Sequence, residues 1–163
     1  MDIKDLSKKH SNTRENQIKG IFANLFLVQN RIQTEFDNKM DVITLKQFML
    51  LIMIKQSYEF KEEITLTKLG SLLGCSRQNV KKLALQLEQK KFIKIIPSKV
   101  DSRASSIQPL NLLHKYFKER NEENMKMLSV IFSKYTDKEI GQFYNLLDKL
   151  HEGVEEFEDY EKD

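Results

Sequence analysis

The sequence predicts a mainly α-helical fold with a small β-wing, in which a winged helix-turn-helix is flanked by amino- and carboxy-terminal helices. Three observations lead to this prediction. Two short amphipathic helices separated by a glycine turn occupy residues 65–89, and a strand, turn and strand pattern follows at residues 92–108. Longer apolar patterns of helical spacing lie on both sides of this segment. A helix-turn-helix that continues into a β-hairpin is a winged helix.

The amino-terminal part of the chain predicts two helices. The first spans about residues 12–36, and its apolar surface is too wide to be covered from one direction. Its apolar residues are Ile18, Ile21, Phe22, Leu25, Phe26, Val28, Ile32 and Phe36. The second is predicted to lie inside the core and carries Leu45, Phe48, Met49, Ile52 and Met53. After the charged segment 59–63, Ile64 predicts a short third strand beside the wing.

The helix-turn-helix is predicted from two apolar stripes and the turn between them. The stripe of the first helix is Leu66, Leu69, Leu72 and Leu73. Either Thr65 or Thr67 caps the start of this helix. Gly74 stands where the helix ends in the left-handed region, which glycine adopts without steric cost. Ser76 then caps a second helix, whose buried stripe is Val80, Leu83, Ala84 and Leu87.

The opposite face of the second helix indicates a contact with nucleic acid. Amide side chains pair with adenine edges, arginine and lysine pair with guanine, and lysines neutralise phosphates. The alternative is an ordinary solvated helix face, which is the usual interpretation of a single cationic helix. Leu85 falls on the same face, which a two-sided helix does not explain. The polar residues concerned are Arg77, Gln78, Asn79, Lys81, Lys82, Gln86 and Gln89.

A hairpin with a charged tip follows the second helix. Residues 92–96 are bulky and β-branched, residues 97–102 are rich in turn formers, and residues 104–108 return as the partner strand. At the tip, Asp101 and Arg103 stand two residues apart, so the carboxylate can orient the guanidinium. An arginine presented in this way suits a narrow minor groove, where the potential is most negative. The alternative is a surface ion pair worth well under ~1 kcal/mol.

A resemblance to a known family is carried by the stretch LTKLGSLLGCSRQNVKKLALQLEQKKFI and by PSKVDSRAS after it. These residues resemble the multiple-antibiotic-resistance regulator (MarR) family of winged-helix repressors. The resemblance implies that double-stranded DNA is the partner, read in the major groove by the second helix and in the minor groove by the wing arginine. The implied major-groove residues are Ser76, Arg77, Gln78, Asn79, Lys81 and Lys82. The implied wing contact is Asp101 and Arg103, to which we add the neighbouring Lys99.

Two positions depart from the family pattern. The family usually has glycine where this chain has Lys91, so the recognition helix must end without the residue that adopts left-handed backbone most easily. The family also usually continues after the wing with Leu-Thr-x-x-Gly, whereas this chain reads Pro109-Leu110-Asn111-Leu112-Leu113. We still expect the fold and DNA binding, and the placement of the following helix stays open.

Two further helices are predicted after residue 111. The first carries Tyr116, Phe117, Met127, Leu128, Ile131 and Phe132. Thr136 and Glu139 form a capping-box signature at the start of the second, which carries Ile140, Phe143, Tyr144, Leu147, Leu150 and Val154. The terminal helices have more apolar surface than a small winged helix covers, so we expect them to be buried in a homodimer. A two-fold dimer would place two recognition helices about one DNA turn apart, ~34 Å, on a palindromic operator.

These patterns predict the organisation of the chain. Residues 1–40 and 111–163 form a helical dimerisation region, and residues 41–110 form the winged helix-turn-helix DNA-binding domain. The whole chain has a net charge of only +3, but residues 77–103 carry eight basic and two acidic residues, a net charge of +6. The last thirteen residues carry seven acidic residues and one lysine, a net charge of −6. The positive potential therefore lies on the winged helix, as a nucleic-acid footprint requires.

Catalysis has little support in the sequence. His10, His114 and His151 are far apart, and the chain contains no HExxH, CxxC, GxSxG or phosphate-binding glycine loop. We therefore predict no enzymatic activity and no cofactor. The single cysteine fits a reducing compartment, and no apolar run is long enough for a membrane span or a signal core. We expect a cytoplasmic protein with no membrane partner.

Other functions are open as alternatives. A winged helix can serve as a protein-interaction module whose basic face matches an acidic partner. A redox- or metal-responsive regulator would keep DNA binding and add chemistry at Cys75 or at the histidines, although a small buried apolar residue is the simpler interpretation of Cys75. Many regulators of the resembling family release DNA when an aromatic or anionic effector enters a crevice beside the winged helix. Candidates for lining such a crevice, which also suit core packing, are Phe22, Phe26, Phe48, Met49, Met53 and Tyr58.

Overall fold

The computed structural model describes residues 12–101 and 103–160. Within these ranges the chain forms six α-helices and one antiparallel β-hairpin, which confirms the predicted fold class. His10 and the last acidic residues of the predicted tail lie outside the described residues. The elements are α1 (Arg14–Lys39), α2 (Leu45–Glu59), α3 (Leu66–Leu72), α4 (Arg77–Gln89), β1 (Ile93–Pro97), β2 (Ser105–Pro109), α5 (Asn111–Ile131) and α6 (Asp137–Asp159).

The chain divides into two compact units, one ending at Lys115 and one beginning at Tyr116. The core of the first unit is built from α2, α3, α4 and the hairpin. Its fully buried side chains include the predicted stripe residues Leu69, Val80 and Leu87, each at 0 % exposure, and Phe92 at 2 %. Burying a side chain of this size contributes about 1.5–3 kcal/mol. The winged helix is therefore held together by most of the apolar positions that the helical spacing predicted. The exception is Leu72 of the predicted α3 stripe, which is 53 % exposed.

Helix α2 lies in the core as predicted, but a different face of it is buried. Leu50, Leu51 and Ile54 are at 0 % exposure, whereas Met49 is 36 % exposed. The helix is apolar on nearly all sides, so spacing alone does not distinguish the face that packs. Thr44 and Gln47 form a capping box at its start, and Asp37 Oδ1 accepts a hydrogen bond from the Leu45 N–H at 2.5 Å. These contacts fix the connection between α1 and α2.

Helix α1 begins after Thr13, whose side chain accepts a hydrogen bond from the Asn16 N–H. Most of its apolar side chains face outward in the single chain. Phe22 is 79 % exposed and Phe26 is 67 % exposed, whereas Phe36 is buried and its ring centroid lies 5.5 Å from that of Phe48. The wide apolar surface predicted for this helix is thus present, and Phe36 is the aromatic residue of the helix that is buried.

The wing is a regular hairpin with one additional backbone link. Ile95 pairs with Ile107, and Ile93 pairs with Pro109. The predicted third strand is limited to a single bridge between Thr65 and Ser106, supported by the Ile107 N–H donating to the Ile64 carbonyl at 3.1 Å. The hairpin is therefore attached to the segment that precedes α3.

Three helices of the first unit end in the same hydrogen-bonded motif, with the residue after the C-cap in the left-handed region. After α3 this residue is Gly74, with φ of 59°, as predicted. After α2 and α4 it is Lys61, with φ of 56°, and Lys91, with φ of 62°. At the end of α4 the Phe92 N–H donates to the Leu87 carbonyl and the Lys91 N–H to the Glu88 carbonyl, at 3.0 and 2.9 Å. This is the Schellman pattern, which glycine usually completes.

We expect Lys91→Gly to stabilise the protein by about 0.5–1 kcal/mol, because a side chain costs free energy in left-handed backbone and glycine does not. The change is measured as an increase in the midpoint of thermal or denaturant unfolding. Gln89→Gly is the control, since this residue is helical and glycine there costs about 1 kcal/mol. A destabilised Lys91→Gly variant would show that the strain at this position is not significant.

The second unit contains α6 and most of α5. The predicted capping box is present at the start of α6, where the Glu139 carboxylate accepts from the Thr136 N–H at 2.8 Å. This main-chain bond is the largest cause that lowers the pKa of Glu139. No residue of α6 is buried in the single chain. Its apolar stripe, including Phe143, Leu147 and Leu150, is 41, 37 and 39 % exposed.

Candidate nucleic-acid interface

The turn between α3 and α4 is built around two glycines with different roles. Gly74 supplies the left-handed residue. Gly70 is buried and supplies space, because a Cβ atom added to it would lie 2.8 Å from the main-chain oxygen of Cys75. The Cys75 N–H also donates to the Gly70 carbonyl at 2.9 Å. Close approach of α3 to this turn therefore requires glycine at position 70, and it determines how α4 leaves the turn.

Helix α4 presents one polar face and buries the other. Ser76 caps it as predicted and accepts a hydrogen bond from the Asn79 N–H at 3.3 Å. Val80, Ala84 and Leu87 are at 0 % exposure, and Leu83 is half-buried. The exposed residues include all six that were predicted for the major groove: Ser76, Arg77, Gln78, Asn79, Lys81 and Lys82. The structure thus brings these side chains together on one accessible face.

The carboxy-terminal part of α4 is engaged within the protein. The Gln47 amide nitrogen donates to Gln86 Oε1 at 2.8 Å. Lys90 Nζ donates to the Val42 carbonyl at 2.6 Å and to Gln47 Oε1 at 3.2 Å. Gln86 and Lys90 therefore anchor α4 to the start of α2. Leu85 is 43 % exposed on the outer face, and nothing in the first unit explains its position.

Glu88 connects the recognition helix to the wing. Its Oε1 atom accepts a hydrogen bond from the Ile95 N–H at 2.7 Å. A carboxylate that accepts from a main-chain N–H makes a charge-assisted bond, which is stronger than a neutral one. This bond links the last turn of α4 to the first wing strand, so the helix and hairpin are held by more than their covalent connection. In the sequence, only the position of Glu88 before the wing bears on this role.

The main-chain N–H groups of the wing tip are satisfied mainly by the tip itself. The Ser98 hydroxyl accepts from the N–H groups of Val100 and Asp101, both at 3.2 Å. Asp101 Oδ1 accepts from the Arg103 N–H at 2.9 Å. The Asp101 carboxylate thus fixes the backbone that carries Arg103. The sequence had predicted a contact with the guanidinium group of Arg103 instead. Lys99, Asp101 and Arg103 are all exposed.

One acceptor of the wing tip comes from outside the hairpin. Glu63, in the segment before α3, accepts a hydrogen bond from the Lys99 N–H through Oε1 at 2.8 Å. This bond is the largest cause that lowers the pKa of Glu63, and the Ser106 and Ser98 hydroxyls act in the same direction. Because the pKa is lower in the folded protein, the contact stabilises the fold at pH values above the ordinary pKa of a glutamate. This stabilisation is lost as the pH falls through the lowered pKa of the folded state. From the sequence alone, Glu63 is only one residue of the charged segment 59–63.

A groove of about 760 Å³ lies in the first unit between α1, the start of α2, the turn and α4. It is lined by Met49, Cys75, Lys82 and Gln33, among others. Of the six residues suggested for an effector crevice, Met49 lines this groove, whereas Phe22 and Phe26 of α1 are strongly exposed. Cys75 is half-buried and is not part of a disulfide bond. Three of the polar residues of α4 that were considered for DNA contact also line the groove: Asn79, Lys82 and Gln86.

Residues 12–101 and 103–160 contain neither a metal cluster nor a membrane-spanning helix. In this part of the chain no group of three or more His, Cys, Asp and Glu side chains is placed to hold a metal ion. None of the described helices combines the length and the apolar character needed to cross a bilayer.

Comparison with solved structures identifies the fold. A MarR/EmrR family transcriptional regulator from Acinetobacter sp. ADP1 matches with a TM-score of 0.73 at 16% identity, over 85% of this chain and 96% of the other. BldR from Sulfolobus solfataricus matches with 0.75 at 14% identity, over 86% and 99%. MepR from S. aureus, solved in complex with DNA, matches with 0.69 at 20% identity, over 82% and 97%. No model of a protein family and no curated protein sequence matches the chain. The chain therefore has the winged-helix fold of MarR-family transcriptional regulators.

Proposed function

We propose that this chain is a homodimeric DNA-binding transcriptional regulator of MarR type that acts as a repressor. It is not an enzyme in this proposal and needs no cofactor. The polar face of α4 enters the major groove, and Arg103 of the wing enters the minor groove. The observation that carries the proposal is the exposed set of amide and cationic side chains at the start of α4, next to a wing that is attached to the same helix.

The chemistry of this face fits duplex DNA better than a general solvated surface. Arg77, Lys81 and Lys82 supply positive charge for phosphates, and Gln78 and Asn79 supply paired donors and acceptors for base edges. The free N–H groups at the start of α4 add a further site for a phosphate. The solved neighbours include MepR bound to DNA and an E. coli MarR variant bound to operator DNA. The repressor role rests on the family resemblance.

Dimerisation is supported by the apolar surface that a single chain leaves uncovered. In α1, Ile21, Phe22 and Phe26 are between 57 and 79 % exposed, and α6 has no buried residue. Monomeric proteins rarely expose apolar patches of this extent. Residues 1–40 and 111–163 would thus form the dimerisation region and residues 41–110 the DNA-binding domain. A two-fold dimer would bind a palindromic operator.

A small-molecule effector is a secondary proposal, favoured by the groove that reaches Asn79 and Lys82. A ligand held there would compete with DNA for the same side chains. Regulation through Cys75 or a bound metal would be a different mechanism, and a basic surface for an acidic protein partner would be a different function. Regulation through Cys75 or a metal predicts DNA binding that changes with peroxide or with a chelator. A surface for an acidic protein partner predicts a protein that does not select duplex DNA.

The test is to select duplexes of about 30 base pairs from a random pool with the wild-type protein and to measure their affinity. We expect selection of a palindromic duplex, and we expect Arg103→Ala to weaken its binding about tenfold, because one inserted arginine per wing is lost. Dimerisation and melting temperature should be unchanged, since Arg103 is exposed. Failure to select any duplex would contradict the proposed function. An unfolded Arg103→Ala variant would show that the arginine is structural.

A further inference from the structure

We propose that Glu63 is a positioning residue for DNA binding, which holds the wing tip so that Arg103 is presented to the minor groove. The inference rests on the proposed function. Glu63 is not part of the hairpin and would not itself contact DNA. It acts on the tip through the main-chain N–H of Lys99, whose distance to Glu63 Oε1 is 2.8 Å.

The hydrogen bonds of the tip explain why this one contact matters. The Ser98 N–H donates to the Ala104 carbonyl, and the Ala104 N–H donates to the Asp101 carbonyl, at 3.0 and 2.9 Å. The N–H groups of Val100, Asp101 and Arg103 are bound by side chains of the tip. These bonds fix the internal shape of the tip but do not fix its position relative to the rest of the unit. Among the described residues of the tip, the Lys99 N–H donates to Glu63, which lies outside the hairpin, and the Glu63 carboxylate also interacts with the Ser98 hydroxyl and the Val100 N–H.

Glu63 is well placed to provide that external anchor. The next residue, Ile64, accepts through its carbonyl from the Ile107 N–H and from the Ser106 hydroxyl, both at 3.1 Å. Ile64 is also buried at 2 % exposure. The backbone that carries Glu63 is therefore fixed to the core and to β2, and the Glu63 side chain extends this attachment to the tip.

A positioning role and a purely electrostatic role of Glu63 predict opposite effects on DNA affinity. A carboxylate near DNA repels phosphates, so removing it should strengthen binding if its charge were all that mattered. A positioning residue gives the opposite sign, because its loss releases the tip. The sign of the change in affinity therefore separates the two roles.

The experiment uses three variants of the full chain and a duplex selected by the wild-type protein. We expect Glu63→Ala to bind this duplex about five- to tenfold more weakly, the scale of one lost hydrogen bond to a charged group. Glu63→Gln keeps an acceptor for the Lys99 N–H without the charge and should restore binding to the wild-type value or above. Glu62→Ala is the matched control, since Glu62 is exposed and pairs with Lys68 at 2.8 Å. It should bind as tightly as the wild-type protein or slightly more tightly.

A second measurement shows whether the tip is released. The amide of Lys99 should exchange with solvent at least severalfold faster in Glu63→Ala than in Glu63→Gln, whereas the amide of Ile107 should be unchanged. Wild-type affinity in Glu63→Ala, or equal weakening in the alanine and glutamine variants, would overturn the inference and leave the proposed function intact. If the wild-type protein selects no duplex, the proposed function fails, and this inference fails with it.

Discussion

Replacing Gly70 with alanine is expected to destabilise the first unit by about 2 kcal/mol, even though alanine is the better helix former. The added Cβ would lie 2.8 Å from the main-chain oxygen of Cys75 and 3.6 Å from the Arg77 nitrogen. The nearest atom belongs to the backbone, so rotation of a side chain cannot relieve the contact. The turn must open, and opening it moves the start of α4. Denaturant unfolding measures the loss of stability, and binding to a selected duplex should weaken as well.

The chain contains a matched control for this substitution. Gly141 lies within α6, and a Cβ atom added to it has no neighbour within 4 Å. Gly141→Ala should therefore stabilise the protein by about 0.5–1 kcal/mol through helix propensity alone. The same chemical change thus has opposite signs at the two positions. Stabilisation by Gly70→Ala would mean that the approach of α3 to the turn is not tight.

Replacing Lys82 with alanine is expected to weaken binding to every duplex about 50-fold at ~0.1 M salt. One phosphate contact would be lost from each protomer, so the slope of log affinity against log salt should become less steep by about 1.8 for a dimer. The loss should be similar for selected and random duplexes, because phosphate contacts carry no sequence information. Fluorescence anisotropy over a series of salt concentrations measures both quantities.

Lys126→Ala is the control for Lys82→Ala, because Lys126 is an exposed lysine of the second unit. Its removal changes the net charge equally but should leave the salt slope unchanged. An unchanged slope for Lys82→Ala, or an equal change for both variants, would show that Lys82 does not touch phosphate in the complex.

Most of the fold was predictable because several local signals agreed. The cap at Ser76, the left-handed turn at Gly74 and the stripe through Val80 and Leu87 are set by neighbouring residues, and the structure confirms each. The same holds for the capping box at Thr136 and Glu139. The exposed face of α4 was predictable from the buried one, because the residues opposite a single apolar stripe must face outward.

The parts that were not predictable depend on contacts between residues distant in sequence. The buried face of α2 is decided by what packs against it, because the helix is apolar on nearly all sides. Glu63 lies 36 positions from Lys99, and Gln47 lies 39 positions from Gln86, so no local pattern marks either pair. Lys91 shows a different limit. The departure from glycine was visible in the sequence, but only the structure shows that lysine adopts the left-handed conformation there.

The central claim is that α4 and the wing together form the surface on which duplex DNA lies. Its most direct test is to titrate the labelled protein with a duplex selected by the wild-type chain and to map the shifts of its backbone amide signals. We predict that the largest shifts fall at residues 76–82 and at residues 99–103, with the amides of α6 little changed. If the duplex binds and the amide signals of both segments stay unchanged, the account is contradicted.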